Sequence, residues 1–317
     1  MAAAKLYDWK PAREHLHDIG CPLCGVRKLV ELAGTDRYDM DLVTVGCSGC
    51  GFVFTNPQPS AELMNEFYRN HYRRFYQGVG VPSVEYIRQY KKDVRGAYVA
   101  QFLRTHGVLG DGAAVLDVGG SEGAILAAIA AVAPAVQRYL IEPNEEFGRF
   151  AETYAGCTWW PDLQALRAQG RQASVVILNH VYEHVPDPVG YLRDIATVMT
   201  EGAALYIDVP DIEAYRRLDA LHIAHLTHFS VRTLRLAIEL AGFEVVLVEP
   251  HQPVNHPASI RCLARRTGSA APAPAPSNGR EGWARLQQCD RQAWRYHRRR
   301  WSLVRRLGHL LKARPAP

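Results

Sequence analysis

AAVLDVGGSEGAILAAIAAVA, Ala113 to Ala133, reads without interruption as an apolar strand, a glycine-rich turn and an Ala-rich helix. The strand closes on an acid, Asp117, and the turn carries Gly119, Gly120 and Gly123. The same grammar continues downstream. QRYLIEP is a second strand ending at Glu142, and ASVVILN is another ending at Asn179. A helix around Val189–Met199 leads into the strand GAALYIDVP. SVRTLRLAIELAGF then precedes EVVLVEP and ASIRCLARR, close enough together to pair antiparallel. Alternating strands and helices predict a doubly wound, mostly parallel sheet whose ligand lies at the carboxyl edge.

The turn argues for a nucleoside ligand but against a dinucleotide, because its glycines miss the G-x-G-x-x-G intervals. Glu122 also stands where a pyrophosphate would want a bare helix N-terminus. Glu142 follows Gly123 by 19 residues and ends the next strand, where a carboxylate takes both ribose hydroxyls.

These residues resemble the class I S-adenosylmethionine-dependent methyltransferases. VLDVGGSEG is similar to their first motif, acid-x-Gly-x-Gly-x-Gly, with Asp117, Gly119 and Gly123 matching and Ser121 in place of the middle glycine. The resemblance implies a seven-stranded Rossmann-like methyltransferase sheet. It makes Glu142 the ribose acid, sets Pro143 along the adenine, and places Asp162, with Leu163, at the adenine edge. Asn179 then borders the methionine moiety, and the Ser121 hydroxyl is available to its carboxylate. From Cys21 to Arg266 the chain is further similar to bacterial methyltransferases with an N-terminal zinc ribbon that act on deoxysugars or serve surface-glycan pathways.

The segment ILNHVYEHVPDP, Ile177 to Pro188, contains His180, Glu183 and His184, the H-x-x-E-H string of inverted zinc peptidases. That chemistry needs both histidines on one continuing helix, and Pro186 and Pro188 stop any helix there. The string is read instead as a loop beside a sulfonium. Methyl transfer gains most from alignment, and an alcohol or enolisable carbon also needs a base near neutrality. The resemblance makes His184 the leading base candidate, because the similar sugar-modifying enzymes place a His at the matching position, whereas His180, facing the sheet edge, is read as structural. The alternative for His184 is that it only caps the loop.

ALHIAHLTHFS brings three more histidines, 222, 225 and 228. The similar subfamily often has Tyr-x-Glu-His here; this chain keeps His225 but has His222 for the Tyr and Ala224 for the Glu. His225 is thus a candidate O-methylation base or substrate hydrogen-bond donor. Histidines alone, with no carboxylate among them, make a weak argument for a metal at this stretch.

CPLCG (Cys21, Cys24) and CSGCGF (Cys47, Cys50) form two knuckles 22 residues apart. Four cysteines complete a tetrahedral site with no open position, so the expected metal is a structural Zn2+. RKLVEL and DLVTVG supply hairpin arms between the knuckles. Beyond them Ser60 caps a helix whose Phe67, Tyr68, Tyr72, Phe75 and Tyr76 form an aromatic face, packed on the main domain or roofing a pocket.

The expected division is a zinc-ribbon module over 1–58, a helical connector or lid over 59–110, the methyltransferase domain over 111–267, an Ala/Pro linker over 268–279 and a basic helical tail over 280–317. Of the 317 residues 48% are hydrophobic and 22% charged, which suits a globular protein with a real core. The net charge of +5 is concentrated: residues 280–317 hold 11 Lys/Arg against 2 Asp/Glu, and the rest 26 against 30. An acidic body speaks against a nucleic-acid surface. In the tail Trp294, Trp301, Val304, Leu307 and Leu311 share a helix face opposite arginines, suiting an anionic membrane surface or a protein partner, including a homo-oligomer. Without an apolar leader or spanning segment the expectation is a cytoplasmic protein, peripheral to the inner membrane face if the tail binds lipid. The function expected is methylation, at O or C, of a nucleotide sugar or glycan. The rivals are an RNA methyltransferase reading RNA through the ribbon, and a cofactor-binding relative without turnover.

Overall fold

A computed structural model describes residues 11, 13–38, 40–72, 81–215, 220–254 and 256–268. The expected linker from 269, the basic tail, and Phe75 and Tyr76 of the aromatic helix lie outside the described residues.

The chain begins with a short strand, β1 (Leu16–His17), then a hairpin of β2 (Leu29–Thr35) and β3 (Asp41–Cys47), then β4 (Val53–Thr55) and β5 (Gln58–Pro59). Helix α1 (Ala61–Asn70) starts where the sequence predicts: Ser60 is its N-cap and accepts from the Leu63 amide. Such a cap satisfies one of the amides that a helix start leaves without a partner. Helices α2 (Val84–Gln89) and α3 (Lys92–Thr105) lead into the central domain.

There the elements alternate. β6 (Ala114–Val118), α4 (Ala124–Val132), β7 (Gln137–Ile141), α5 (Glu145–Ala155), β8 (Thr158–Trp160), α6 (Leu163–Ala168) and β9 (Ala173–Asn179) come first. They are followed by α7 (Pro188–Ala196), β10 (Met199–Pro210), β11 (Thr227–His228), α8 (Val231–Leu240), β12 (Phe243–His251) and β13 (Ser259–Arg266). The sheet has seven strands in the order β12-β13-β10-β9-β6-β7-β8, and only β13 runs against its neighbours. This is the expected α/β architecture. Continuous apolar runs such as Val175–Leu178 form strands because helices cover both faces, so no alternation with polar residues is needed. On one face α3, α4 and α5 contribute Leu103, Leu126, Ile129 and Ala151; on the other, α6, α7 and α8 contribute Leu166, Leu192 and Ile238.

One feature has no counterpart in the sequence pattern. The two-residue strand β11, from the loop between β10 and α8, pairs antiparallel with β4 and completes a four-stranded sheet with the N-terminal hairpin. Phe229 behind it packs on Phe52 and stacks on Tyr182, with ring centroids 5.3 and 5.0 Å apart. The N-terminal module and the central domain therefore share a sheet and an apolar core. Among the described residues no helix is long and apolar enough to cross a membrane.

Candidate functional site

The carboxyl ends of β6, β7, β9 and β10 gather buried acids and amides. Asp117, 1% exposed, ends β6 with neither carboxylate oxygen hydrogen-bonded. Burial, then the Glu122 and Glu142 carboxylates, push its pKa up to about 8 against the opposing pull of Arg95. Two further buried oxygens, Asn179 Oδ1 at the end of β9 and Asp208 Oδ1 in β10, also lack a hydrogen bond. Buried polar atoms are almost always satisfied, so four such oxygens on three residues of one sheet edge point to a ligand.

The turn after β6 is shaped by packing. Gly119 has φ +68°, and a Cβ on it would meet Val181 Cγ2 at 2.8 Å, which ties this turn to the loop after β9. Gly123 has φ +77°, and its Cβ would meet Ala151 at 2.9 Å, so α4 starts hard against α5. Ser121 also has positive φ, +56°, an uncommon geometry for a residue with a side chain. Its hydroxyl donates to Glu122 Oε2 at 2.7 Å, and that oxygen also accepts from Lys92 Nζ at 2.8 Å. Here, then, the hydroxyl expected for the methionine carboxylate is engaged by its neighbour. Glu142 directly follows β7, with Oε1 accepting from the Asn144 amide. Pro143 beside it is exposed. Asp162 lies past β8, exposed, where its carboxylate caps α6 by accepting from the Ala165 amide, and Leu163 opens that helix.

The loop after β9 turns sharply at His180, whose φ is +55°. His180 sits between two acids: Nδ1 is 3.3 Å from Glu183 Oε1 and Nε2 is 3.8 Å from Asp208 Oδ1. Residues Tyr182–His184 form a single 3-10 turn and α7 opens only at Pro188, so His180 and His184 share no helix. Thr227 Oγ1 holds that turn by donating to the Tyr182 and Glu183 carbonyls.

His184 and His225, 41 residues apart in sequence, meet with ring centroids 5.0 Å apart. His184 Nδ1 donates to the Ala224 carbonyl at 2.6 Å, which leaves Nε2 carrying the lone pair. Tyr68 donates to the same carbonyl, and the rings of Tyr68 and Tyr72 each lie 5.8 Å from the His184 ring. His225 Nε2 is 3.8 Å from Glu183 Oε1. Burial, followed by the nearby imidazoles of His222 and His184, holds His225 neutral, well below the usual histidine pKa. The sequence leaves a carboxylate missing at position 224; the carboxylate beside His225 comes from Glu183. A second pair, His251 Nε2 and Asp208 Oδ2 at 3.0 Å, was not visible in sequence, although YIDVP puts an acid at a strand's carboxyl end.

Residues 86–248, just over half of the chain, match the family model described as "Methyltransferase domain". The chain belongs to this methyltransferase family. It is an S-adenosylmethionine-dependent class I methyltransferase domain, and the unsatisfied acids and tight glycines at its carboxyl edge fit the cofactor that such domains bind. Three solved structures illustrate its likeness to others. Magnesium protoporphyrin IX methyltransferase from Synechocystis PCC 6803 with bound SAM shares 16% identity over 65% of this chain and 96% of its own, with a TM-score of 0.46. The mitomycin 7-O-methyltransferase shares 21% over 55% and 54%, with a TM-score of 0.44. The plantazolicin methyltransferase in complex with a pentazolic analog and SAH shares 9% over 65% and 95%, with a TM-score of 0.48. No curated protein matches the chain.

Away from this edge, the four knuckle cysteines converge, with all four sulfurs within 4.8 Å of one another. Sγ–Sγ separations are 3.4 Å for Cys21–Cys50 and 3.5 Å for Cys24–Cys47. Donors about 2.3 Å from a tetrahedral ion would lie slightly farther apart than this, so the set fits such an ion after small side-chain adjustments.

Proposed function

We propose that this methyltransferase alkylates a saccharide, nucleotide-linked or within a surface glycan, at an oxygen or an activated carbon. One observation carries this reading. The loop 179–185 begins among the unsatisfied acids of the cofactor edge and ends at His184, against His225, Tyr68 and Tyr72. Bound at the edge, S-adenosylmethionine supplies a methyl group on a sulfonium. Glu142 would accept from the ribose, Pro143 and Asp162 would border the adenine, and Asp117 and Asn179 would face the remaining polar groups. Gly119, Ser121 and Gly123 would shape the turn, with Ser121 positioned through Glu122. His184 Nε2 is placed to take the acceptor's proton, with neutral His225 beside it to hydrogen-bond the acceptor and His180 to orient Glu183.

The four thiolates would hold a structural Zn2+, and residues 1–58, 59–110 and 111–267 would serve as ribbon, connector and catalytic unit. Because β11 joins the ribbon sheet, that metal would also steady the loop bearing His225.

Incubating the full chain with methyl-labelled cofactor and a panel of nucleotide sugars, hydroxylated small molecules and RNA tests the reading. Label in a sugar that falls at least roughly tenfold on His184→Ala is expected. Label only in RNA, or only in a non-sugar acceptor, would overturn the saccharide assignment.

A further inference from the structure

Glu183, His184 and His225 each bring a donor atom into one small volume, all within 4.8 Å of one another. Donors around a divalent ion with bonds of about 2.0–2.1 Å lie roughly 3–3.5 Å apart, so modest side-chain rotations would close the set. One approach, His225 Nε2 to Glu183 Oε1, is already 3.8 Å.

Three further observations point to a cation. Glu183 is 2% exposed, and its Oε2 makes no hydrogen bond. Among the described residues its ion-pair neighbours are imidazoles only, with no Lys or Arg. Oε1 meets the His180 imidazole at 3.3 Å, but a buried carboxylate oxygen left without any partner is costly, and a metal ion at Oε2 removes that cost. His184 is set for ligation: Nδ1 donates to a backbone carbonyl and leaves the lone pair on Nε2, the arrangement that metal-binding histidines use. His225 Nδ1 is buried without a partner, so no competing hydrogen bond fixes that ring the other way.

The scaffold is firm on both sides. Thr227 clamps the turn carrying Glu183 and His184, and the His225 amide donates to the His222 carbonyl at 2.9 Å. Two imidazoles and one carboxylate leave coordination positions open.

We propose that Glu183, His184 and His225 form a binding site for a divalent first-row transition cation, distinct from the four-cysteine cluster, with an open position for an oxygen ligand. Imidazole donors select such ions over Mg2+ and Ca2+. The site rests on the methyl-transfer reading only for its use: an acceptor hydroxyl bound at the open position would have its pKa lowered by the cation, in place of a free imidazole base. Metal uptake itself does not depend on the acceptor.

Co2+ is the probe. The full chain, loaded first with one equivalent of Zn2+ for the thiolates, is titrated with Co2+ by equilibrium dialysis while the visible spectrum is followed. Wild type is expected to take up one further equivalent, with the weak absorption of an oxygen–nitrogen site and no thiolate charge-transfer band. Glu183→Gln and His225→Asn should each weaken that uptake by at least roughly tenfold. Retained S-adenosylmethionine binding identifies folded variants, and either variant suffices. No second equivalent in wild type, or unchanged uptake in a folded variant, would overturn the site. Sugar methylation without Co2+ uptake would also overturn it, whereas Co2+ uptake without sugar methylation would support the site and remove only the saccharide reading.

Discussion

The four-cysteine cluster and the Glu183–His184–His225 cluster are both sets of converging donors, yet they are built in opposite ways. The cysteines come from two local knuckles and supply four like donors, filling a tetrahedron. The second cluster draws on a loop after β9 and another before α8, has three mixed donors, too few to fill a coordination shell, and lies beside two tyrosines that flank His184. A closed set of identical ligands suits structure; an open, mixed set at the cofactor edge suits chemistry. The two are linked through β11, whose pairing with β4 ties the ribbon to the segment bearing His225.

Breaking the closed set should have the largest effect. Cys47, fully buried, replaced by Ser should cost several kcal/mol, because metal binding and folding of such modules are one process. Thermal melting would show it. If β11 transmits the loss, Co2+ uptake at the open site should fall as well; intact uptake would show the regions to be independent.

Gly119→Ala tests the turn. Its φ of +68° and the approach of Val181 predict a loss of about 1–3 kcal/mol in chemical denaturation, with weaker cofactor binding. A neutral substitution would mean that the two loops can part freely.

Asp117 gives a pH signature of its own. Its folded pKa of about 8 lies above the ordinary 3.8, so the folded chain keeps a proton that the unfolded chain releases. That contribution is complete below the unfolded value and is lost as pH rises toward about 8. In the cofactor-free protein the stability of wild type relative to Asp117→Asn, read by denaturation, should therefore fall across this window, a comparison that cancels the opposite contribution of buried histidines such as His225. The smallest effect expected is for Tyr68→Phe: loss of one donor to the Ala224 carbonyl, costing about 0.5–1.5 kcal/mol in a melt.

These regions also differ in how far sequence alone exposed them. The strand–turn–helix at 113–133, the Ser60 cap and the cysteine knuckles rest on short-range rules, and the structure places each where its residues indicate. The open cluster could not be read this way. Glu183 belongs to a string that imitates a peptidase motif, and its partner His225 lies 42 residues on, in a segment whose two-residue strand carries no periodic signal. Asp208 and His251 were hidden for the same reason: their meeting depends on the antiparallel insertion of β13 beside β10. Local chemistry is written in neighbouring residues, whereas an acceptor site assembled across loops becomes visible only when the sheet fixes their register.

The central claim is that the carboxyl edge formed by β6, β7 and β9 binds S-adenosylmethionine through Glu142. Calorimetric titration of the full chain, wild type and Glu142→Ala, tests it most directly. Saturable binding by wild type and a loss of about 1–3 kcal/mol in the variant, roughly 5- to 150-fold, is the expected result. No binding by wild type, or equal affinity in the two proteins, would contradict it.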